Sequence, residues 1–488
     1  MEIAALNPKL VWKHFYELTR IPRPSGHTAA VAQFLVEFGK NIGVDAFIDN
    51  AGNVVMRKAA TPGYENLETA ILQAHMDMVP QPLDGPHNFE TDPIGTHIEG
   101  EWVYANGTTL GADDGMGVAA AMAILEDQNV AHGPLEVLIT ADEETGMYGA
   151  RGLEAGTLKG KYLLNLDSET EGVITIGCAG GQDVEAGMEY DEMEVNPDGM
   201  KSFKIEMDGM KGGHSGLEIN EGRANANKLM ARLLSVLIDE ECAWICSWTG
   251  GTMRNAIPRS GEAVVLVPAS KEENFRKIVN ERLSIFNEEF IKQEGGNISI
   301  QLTECAVPEK AMPDDIQLNL VNAILAAHDG VLRYIPTIPD IVETSSNLAI
   351  VNAKDGKIEI GILARSSSET MKAYLCESLA SCFRLAGMEV QFTGGYGGWQ
   401  PNTASPLVAN MSDVYEQLYG NKPVVEVCHA GLECGIIGVT YPDMDMASFG
   451  PTLQSPHTPS ERCFIPSVEK FYNYLVELLK HIPEKEDK

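Results

Sequence analysis

Residues Leu135–Gly146 read LEVLITADEETG, a run rich in Leu, Val and Ile that ends in three consecutive acids, Asp142, Glu143 and Glu144. Leu135 to Thr140 is long enough for a short strand and too apolar for one with a wet face. Two similar runs flank it in the chain: Ala70 to Gln73, continuing into AHMDMV, and Tyr162 to Leu166, within KYLLNLDSE. Helical spacing precedes and separates them. Leu10, Val11, Phe15 and Leu18 mark a helix over 8–19, Val31, Phe34, Leu35 and Phe38 one over 28–40, and small residues a third over 115–125. Strands apolar on both faces, alternating with helices, predict an α/β domain built on a mostly parallel mixed sheet.

Each of these runs delivers an acid or a histidine to its C-terminal end, the edge at which open α/β sheets bind ligands. AHMDMV supplies His75 and Asp77, two apart and so on one face if the strand continues. TLGADDGMG places Asp113 and Asp114 just before the small-residue helix, and KYLLNLDSE ends in Asp167. Taken singly these are ordinary features: Asp142–Glu144 a solvated cluster, Asp113 or Asp114 a helix N-cap, His75 a satisfied core histidine. Together they set several carboxylates on one edge. Converging carboxylates repel and hold protons unless a cation sits among them, and a divalent metal resolves that conflict.

Beyond residue 180 the pattern changes. The stretch over 181–198, GQDVEAGMEYDEMEVNPD, reads as a Gly- and acid-rich linker. After it come a strand over 202–207, a helix over 223–239, strands over 243–248 and 263–267, a helix over 272–290 and a strand over 297–302. That βαββαβ order is the ferredoxin-like split unit. A second helix–strand–strand–helix–strand set is expected between Ile316 and Phe392, followed by a Gly-rich hinge, GGYGGWQPN, over 394–402. The expected organisation is a catalytic domain in two parts, residues 1–186 and 396–488, interrupted by an α+β ferredoxin-like lid or dimerisation domain over 187–395.

Composition narrows the function classes. The 488 residues carry 70 Asp+Glu against 36 Lys+Arg, a formal charge of −34, yet 44 % are hydrophobic, enough to build packed cores. Phosphates would be repelled, so neither nucleic acid nor an anionic membrane is an expected partner. The N-terminal MEIAALNPKLVWKH lacks a signal-peptide layout, and the nine cysteines contain no CxxC pair. A cytoplasmic protein with reduced thiols is the expectation.

The motifs HMDMV, LGADDG, ADEETG, NLD and SPHTPSE, with KGGHSGLEI, GGTMRNAIPR, ARSSS and HAGLECG, together resemble the dinuclear-zinc peptidase family that includes carnosinases and aminoacylases. The resemblance covers nearly the whole chain. It implies two Zn²⁺ per chain, with Mn²⁺ or Co²⁺ as substitutes, and assigns Asp113 as the carboxylate between them. His75 and Asp167 would complete one site, Glu144 and His457 the other. Glu143, next to the metal-binding glutamate, matches the family's general base, and Asp77 the carboxylate that orients the histidine. His214 resembles the histidine that reaches the substrate carbonyl, contributed by its own chain or by a partner subunit. Arg365 is placed as a clamp for the substrate carboxylate, with Asn255 and Gly431 as further substrate contacts. Asp114 and Asp142 are left as supporting residues, and Cys434, near His429, reads as structural.

The implied activity is hydrolysis of unblocked dipeptides, especially Xaa-His ones of the carnosine type, by a homodimer. An aminoacylase or tripeptidase of the same family is the alternative within enzymes. A catalytically inactive peptide-binding relative is the alternative outside them, although every ligand position and Glu143 retain usable chemistry. A calcium-binding acidic protein would need the DxDxDG loop spacing, which is missing, and would leave both histidines without a role.

Overall fold

A computed structural model describes residues 3–83 and 85–485. The chain divides into two compact units: Met1–Cys178 with Trp399–Val427 and Leu432–Lys488, and Ala179–Gly398 with Cys428–Gly431. In the first, an eight-stranded sheet runs in the order Asp45–Ile48, Val54–Lys58, Leu135–Thr140, Ala70–His75, Tyr162–Asn165, Asp445–Ser448, Val173–Cys178, Val424–Cys428. The central four strands are mutually parallel. Ala70–His75, Leu135–Thr140 and Tyr162–Asn165 are buried along their full lengths, as expected for strands covered on both faces. Glu136, a carboxylate among them, is satisfied by Arg57 Nε at 3.0 Å and by the amides of Lys159 and Gly160. Helix Ala112–Glu126 is buried from Ala112 to Leu125, and its small side chains let it pack in contact with helix Lys9–Thr19 and strand Ala70–His75. This is the expected α/β fold.

The second unit carries a nine-stranded sheet. Its first half has the order Ser299–Cys305, Met200–Asp208, Gly261–Pro268, Trp244–Gly250, all antiparallel, with helices Ala226–Asp239 and Glu272–Glu289 between strands. This is the ferredoxin-like arrangement read from the sequence. The other half repeats it with Glu389–Tyr396, Gly180–Glu189, Lys357–Ser366 and Val342–Lys354, joined to the first by pairing of Trp244–Gly250 with Val342–Lys354.

Two expectations are corrected here. The stretch expected to be a linker begins as the strand Gly180–Glu189, the missing first strand of the second repeat, so the second unit starts at Ala179, ahead of the expected 187. Its alternation is real, with Val184 and Ala186 buried and Glu185 and Glu189 outward, but glycines at Gly180, Gly181 and Gly187 hide the pattern. The expected hinge over 394–402 likewise starts inside a strand, Glu389–Tyr396. Cys242, Cys246, Cys305, Cys376, Cys382, Cys434 and Cys463 are free thiols. No described helix is long and apolar enough to cross a membrane.

Candidate active site

The site of the first unit follows from strand register. Ala70–His75 pairs with Leu135–Thr140 so that His75 lies opposite Thr140, and with Tyr162–Asn165 so that Gln73 lies opposite Asn165. Three parallel strands therefore end level, and the residues that follow them, Asp77, Asp142–Glu144 and Asp167, emerge on one edge. The turn Gly111–Asp114 opens the small-residue helix there, with a cis peptide between Asp113 and Asp114.

Asp113 occupies the centre. Its Oδ1 is 3.1 Å from His75 Nε2, and its Oδ2 is 3.0 Å from His457 Nε2. Asp167 Oδ1 stands 3.3 Å from His75 Nε2, and Glu144 Oε2 2.9 Å from His457 Nε2. Thus one carboxylate divides its oxygens between two sets, His75–Asp167 and His457–Glu144. Donor atoms of His75, Asp113 and Asp167 fall within 4.8 Å of one another, as do those of Asp113, Glu144 and His457, and those of His75, Glu143 and Glu144. Loop backbone supports this: His457 and Ser455 both adopt positive φ, 60° and 54°, which non-glycine residues keep only where surrounding structure imposes it.

The electrostatics are those of a cation site. With protons as the only counter-charges, burial and the charges of Asp113 and Glu144 push Asp167 up to about 7 against the pull of His75. Hydrogen bonds donated to Asp113 and Glu144 raise His457 to about 11, and nearby acids hold His75 well above its ordinary value despite burial. Divalent ions would displace those protons, leaving neutral imidazoles and ionised carboxylates. Two imidazoles and three carboxylates, with Glu144 Oε1 buried and unpartnered, suit a pair of borderline divalent ions.

Around this centre each supporting group has a visible task. Asp77 Oδ1 lies 3.4 Å from His75 Nδ1, which directs Nε2 toward Asp113 and Asp167. The same carboxylate accepts the amides of Glu143 (3.0 Å) and Glu144 (3.3 Å) and the Ser25 hydroxyl, so it sets the histidine and the glutamate turn together. Burial opposes its charge, but its bonds with His75, Ser25 and Glu143 hold it at about 2. Asp114 accepts the amides of His75 and Gly117. Burial, with the neighbouring Asp167, Glu433 and Glu144, raises the Glu143 carboxyl well above the usual range. Asp142, at φ 54°, accepts the Gly26 amide.

Three residues were not singled out from the sequence. Glu461, four residues after His457, accepts the amides of Leu110, Gly111, Ala112 and Asp113 at 2.7, 2.9, 2.7 and 3.2 Å. Arg23 donates to the carbonyls of Met76, Asp77 and Gly111. Glu433 is buried beneath the site and receives bonds from Gln73 and Thr140. Glu433 and Glu461 lie inside the quoted motifs HAGLECG and SPHTPSE, but nothing in their spacing reveals what they hold.

In the second unit, His214 pairs with Ala256 in a two-residue ladder. Its Nδ1 accepts the amides of Gly216 and Leu217, both at 3.1 Å, so the ring proton sits on Nε2 and makes that nitrogen a donor. Burial and Arg365 lower its pKa and keep it neutral. Arg365 is 4 % exposed and meets only hydroxyls, Tyr396 at 2.9 Å and Ser215 at 3.4 Å. No carboxylate among the described residues forms an ion pair with it. Asn255 contributes its carbonyl to the Ser215 amide, and Gly431 follows His429, whose Nε2 is 2.8 Å from Ser345 Oγ. Burial and Arg365 hold His429 down to about 3. Cys434 is buried, with its thiol pushed well up by burial, which fits a structural residue and not a nucleophile.

Residues 71–481 match the model of peptidase family M20/M25/M40. The chain is 42 % identical over 485 residues, 99 % of its length and 100 % of the relative's, to the cytosol non-specific dipeptidase of Escherichia coli (strain K12). Aminoacylhistidine dipeptidase from Vibrio alginolyticus superposes with a TM-score of 0.95 at 41 % identity, over 100 % of this chain and 99 % of that one. An aminopeptidase, PepT, from Bacillus cereus shares the fold at a TM-score of 0.58 and 16 % identity, over 98 % and 99 % of the two chains.

Proposed function

The chain belongs to peptidase family M20/M25/M40 and is a metal-dependent hydrolase, a dipeptidase, of that family; from this premise we propose that it cleaves unblocked dipeptides, Xaa-His ones of the carnosine type among them, with two zinc ions. The observation that carries the reading is Asp113, whose two oxygens face two separate histidine–carboxylate sets. His75 and Asp167 would hold one ion, Glu144 and His457 the other, and Asp113 both. Such a pair supplies Lewis acidity toward a carbonyl and makes a nearby water acidic enough to attack at neutral pH.

The remaining steps belong to side chains. Glu143, kept beside His75 by the Asp77–amide bond, takes a proton from the attacking water and returns it to the departing amine. His214, neutral with its proton on Nε2, donates to the oxygen that becomes negative as the carbonyl is attacked. Arg365, a buried cation that forms no ion pair with a carboxylate among the described residues, receives the substrate's terminal carboxylate through its two-pronged donor edge. Asn255 and Gly431 would be further substrate contacts. The Escherichia coli relative is a cytosolic enzyme by name, which supports a cytoplasmic enzyme here.

The test is hydrolysis of carnosine and of Gly- and Leu-headed dipeptides before and after chelation, with bound metal measured in parallel. Activity should vanish with the metal and return on adding Zn²⁺ or Mn²⁺. Metal-independent turnover, or cleavage confined to N-acyl amino acids, would overturn the reading. Arg365→Lys tests the clamp: a point charge replaces a two-pronged donor, so KM should rise about 10-fold or more with kcat largely kept. An unchanged KM would remove Arg365 from the substrate site.

A further inference from the structure

Beneath the candidate ligands runs a row of buried polar side chains that the proposed mechanism does not use. Gln73 precedes His75 by two positions and so shares its face of the sheet, one repeat of roughly 6–7 Å below. Directly across from Gln73 stands Asn165, and across from Asn165 stands Ser448. Ser448 donates to Asn165 Oδ1, Asn165 Nδ2 to Gln73 Oε1, and Gln73 Nε2 to Glu433 Oε2 at 2.6 Å. Thr140, on the third strand, donates to the same Glu433 oxygen at 2.6 Å. All five are buried, at 1 % exposure or less.

The row links the strands that end in His75, in Glu143–Glu144 and in Asp167. Its members are mostly ambivalent: Gln and Asn amides can flip, and Ser and Thr hydroxyls can rotate. The Glu433 oxygen is different, because Oε2 accepts from Gln73 and from Thr140 at once. Placed at the end of the row, Glu433 sets the direction of every bond in it: Gln73 must present its NH₂ to Glu433 and its oxygen to Asn165, which in turn fixes Asn165 and Ser448. In a buried network each such choice matters, since a reversed amide leaves unmatched groups out of reach of water. Glu433 Oε1 has no partner among the described residues, so the carboxylate is not held there by a salt bridge of its own.

The geometry points to Glu433 as a positioning residue for the metal centre: through Gln73, Thr140 and Asn165 it holds the three ligand-bearing strand ends at the spacing the ions require. This rests on the ligand assignment proposed above. Outer carboxylates of this kind are typically worth 10–100-fold in metal affinity or activity.

The variant to make is Glu433→Gln, which keeps the shape but replaces one carboxyl oxygen with an NH₂ donor. Metal retention is read by titrating the zinc-loaded protein with a chelator, alongside thermal unfolding of the metal-free form and steady-state kinetics on carnosine. The expected result is a loss of about 10–100-fold in metal retention and a lower kcat at unchanged KM. The double variant Glu433→Gln/Gln73→Glu, which moves the acceptor one place along the row and restores its direction, should recover retention. If Glu433→Gln does not fold, Thr140→Val supplies a milder break in the same network and should weaken retention in the same sense. Retention and kcat within twofold of the parent, or a fall in unfolding temperature with retention intact, would overturn the proposal and leave Glu433 a packing residue. Failure of the parent protein to bind metal would overturn the ligand assignment instead.

Discussion

Glu143→Gln is expected to keep the metal content of the parent protein while lowering kcat by about 10²–10⁴-fold, the range over which a positioned acid–base group acts. Glutamine preserves the size of the side chain, and its backbone amide keeps the 3.0 Å bond to Asp77 that sets the turn. The proposed donors Asp113, Asp167, Glu144, His75 and His457 are untouched, so both ion positions survive. What disappears is a carboxylate able to take a proton, and KM should move little because the group is not asked to bind substrate. Metal content by elemental analysis and steady-state kinetics decide the case. Near-normal kcat would remove Glu143 as the base, whereas loss of one ion per chain would make it a ligand.

The second large effect is structural in origin. Glu461→Ala is expected to destabilise the protein by about 3–5 kcal/mol, because it strips a buried carboxylate from groups that have no other partner. Four consecutive amides, Leu110 to Asp113, end on that one side chain, and the charge of Arg23, buried among carbonyls, is also balanced by it. Unpaired amides in a dry turn each cost on the order of 1–3 kcal/mol, although relaxation recovers part of the sum. The turn carries Asp113, so metal retention should fall together with stability. Glu461→Gln, which keeps an oxygen for some of the amides, should lie between the two. Chemical unfolding and chelator titration measure both quantities. A loss under 1 kcal/mol with metal retention unchanged would show that water or a local shift satisfies the amides, and that Glu461 does not hold Asp113.

Legibility differed from residue to residue for physical reasons. Strands such as Leu135–Thr140 announce themselves because burial on both faces demands apolar runs, and the acids after them stand out against that background. Gly180–Glu189 does not, because glycines and outward acids replace the large apolar residues that make an alternating pattern visible, and its sequence has the look of a linker. His457 and Glu461 share one motif, yet only the histidine carries a chemistry that a sequence displays. The task of Glu461 exists only because the turn before Asp113 lies within reach of a loop nearly 350 residues later.

By itself the sequence determined the α/β class, the ferredoxin-like repeat, the set of acids and histidines worth joining and the family resemblance, all of which rest on local periodicity and on motif order. Only the tertiary structure decided how Asp113 divides its oxygens, that Asp77 binds a histidine and two amides at once, and that Glu433 anchors a row of side chains from four strands. Those are properties of distance and direction between residues far apart in the chain. Periodicity records which face a residue occupies, but a hydrogen bond depends on where the partner's atom lies, and that is set when the strands align in register.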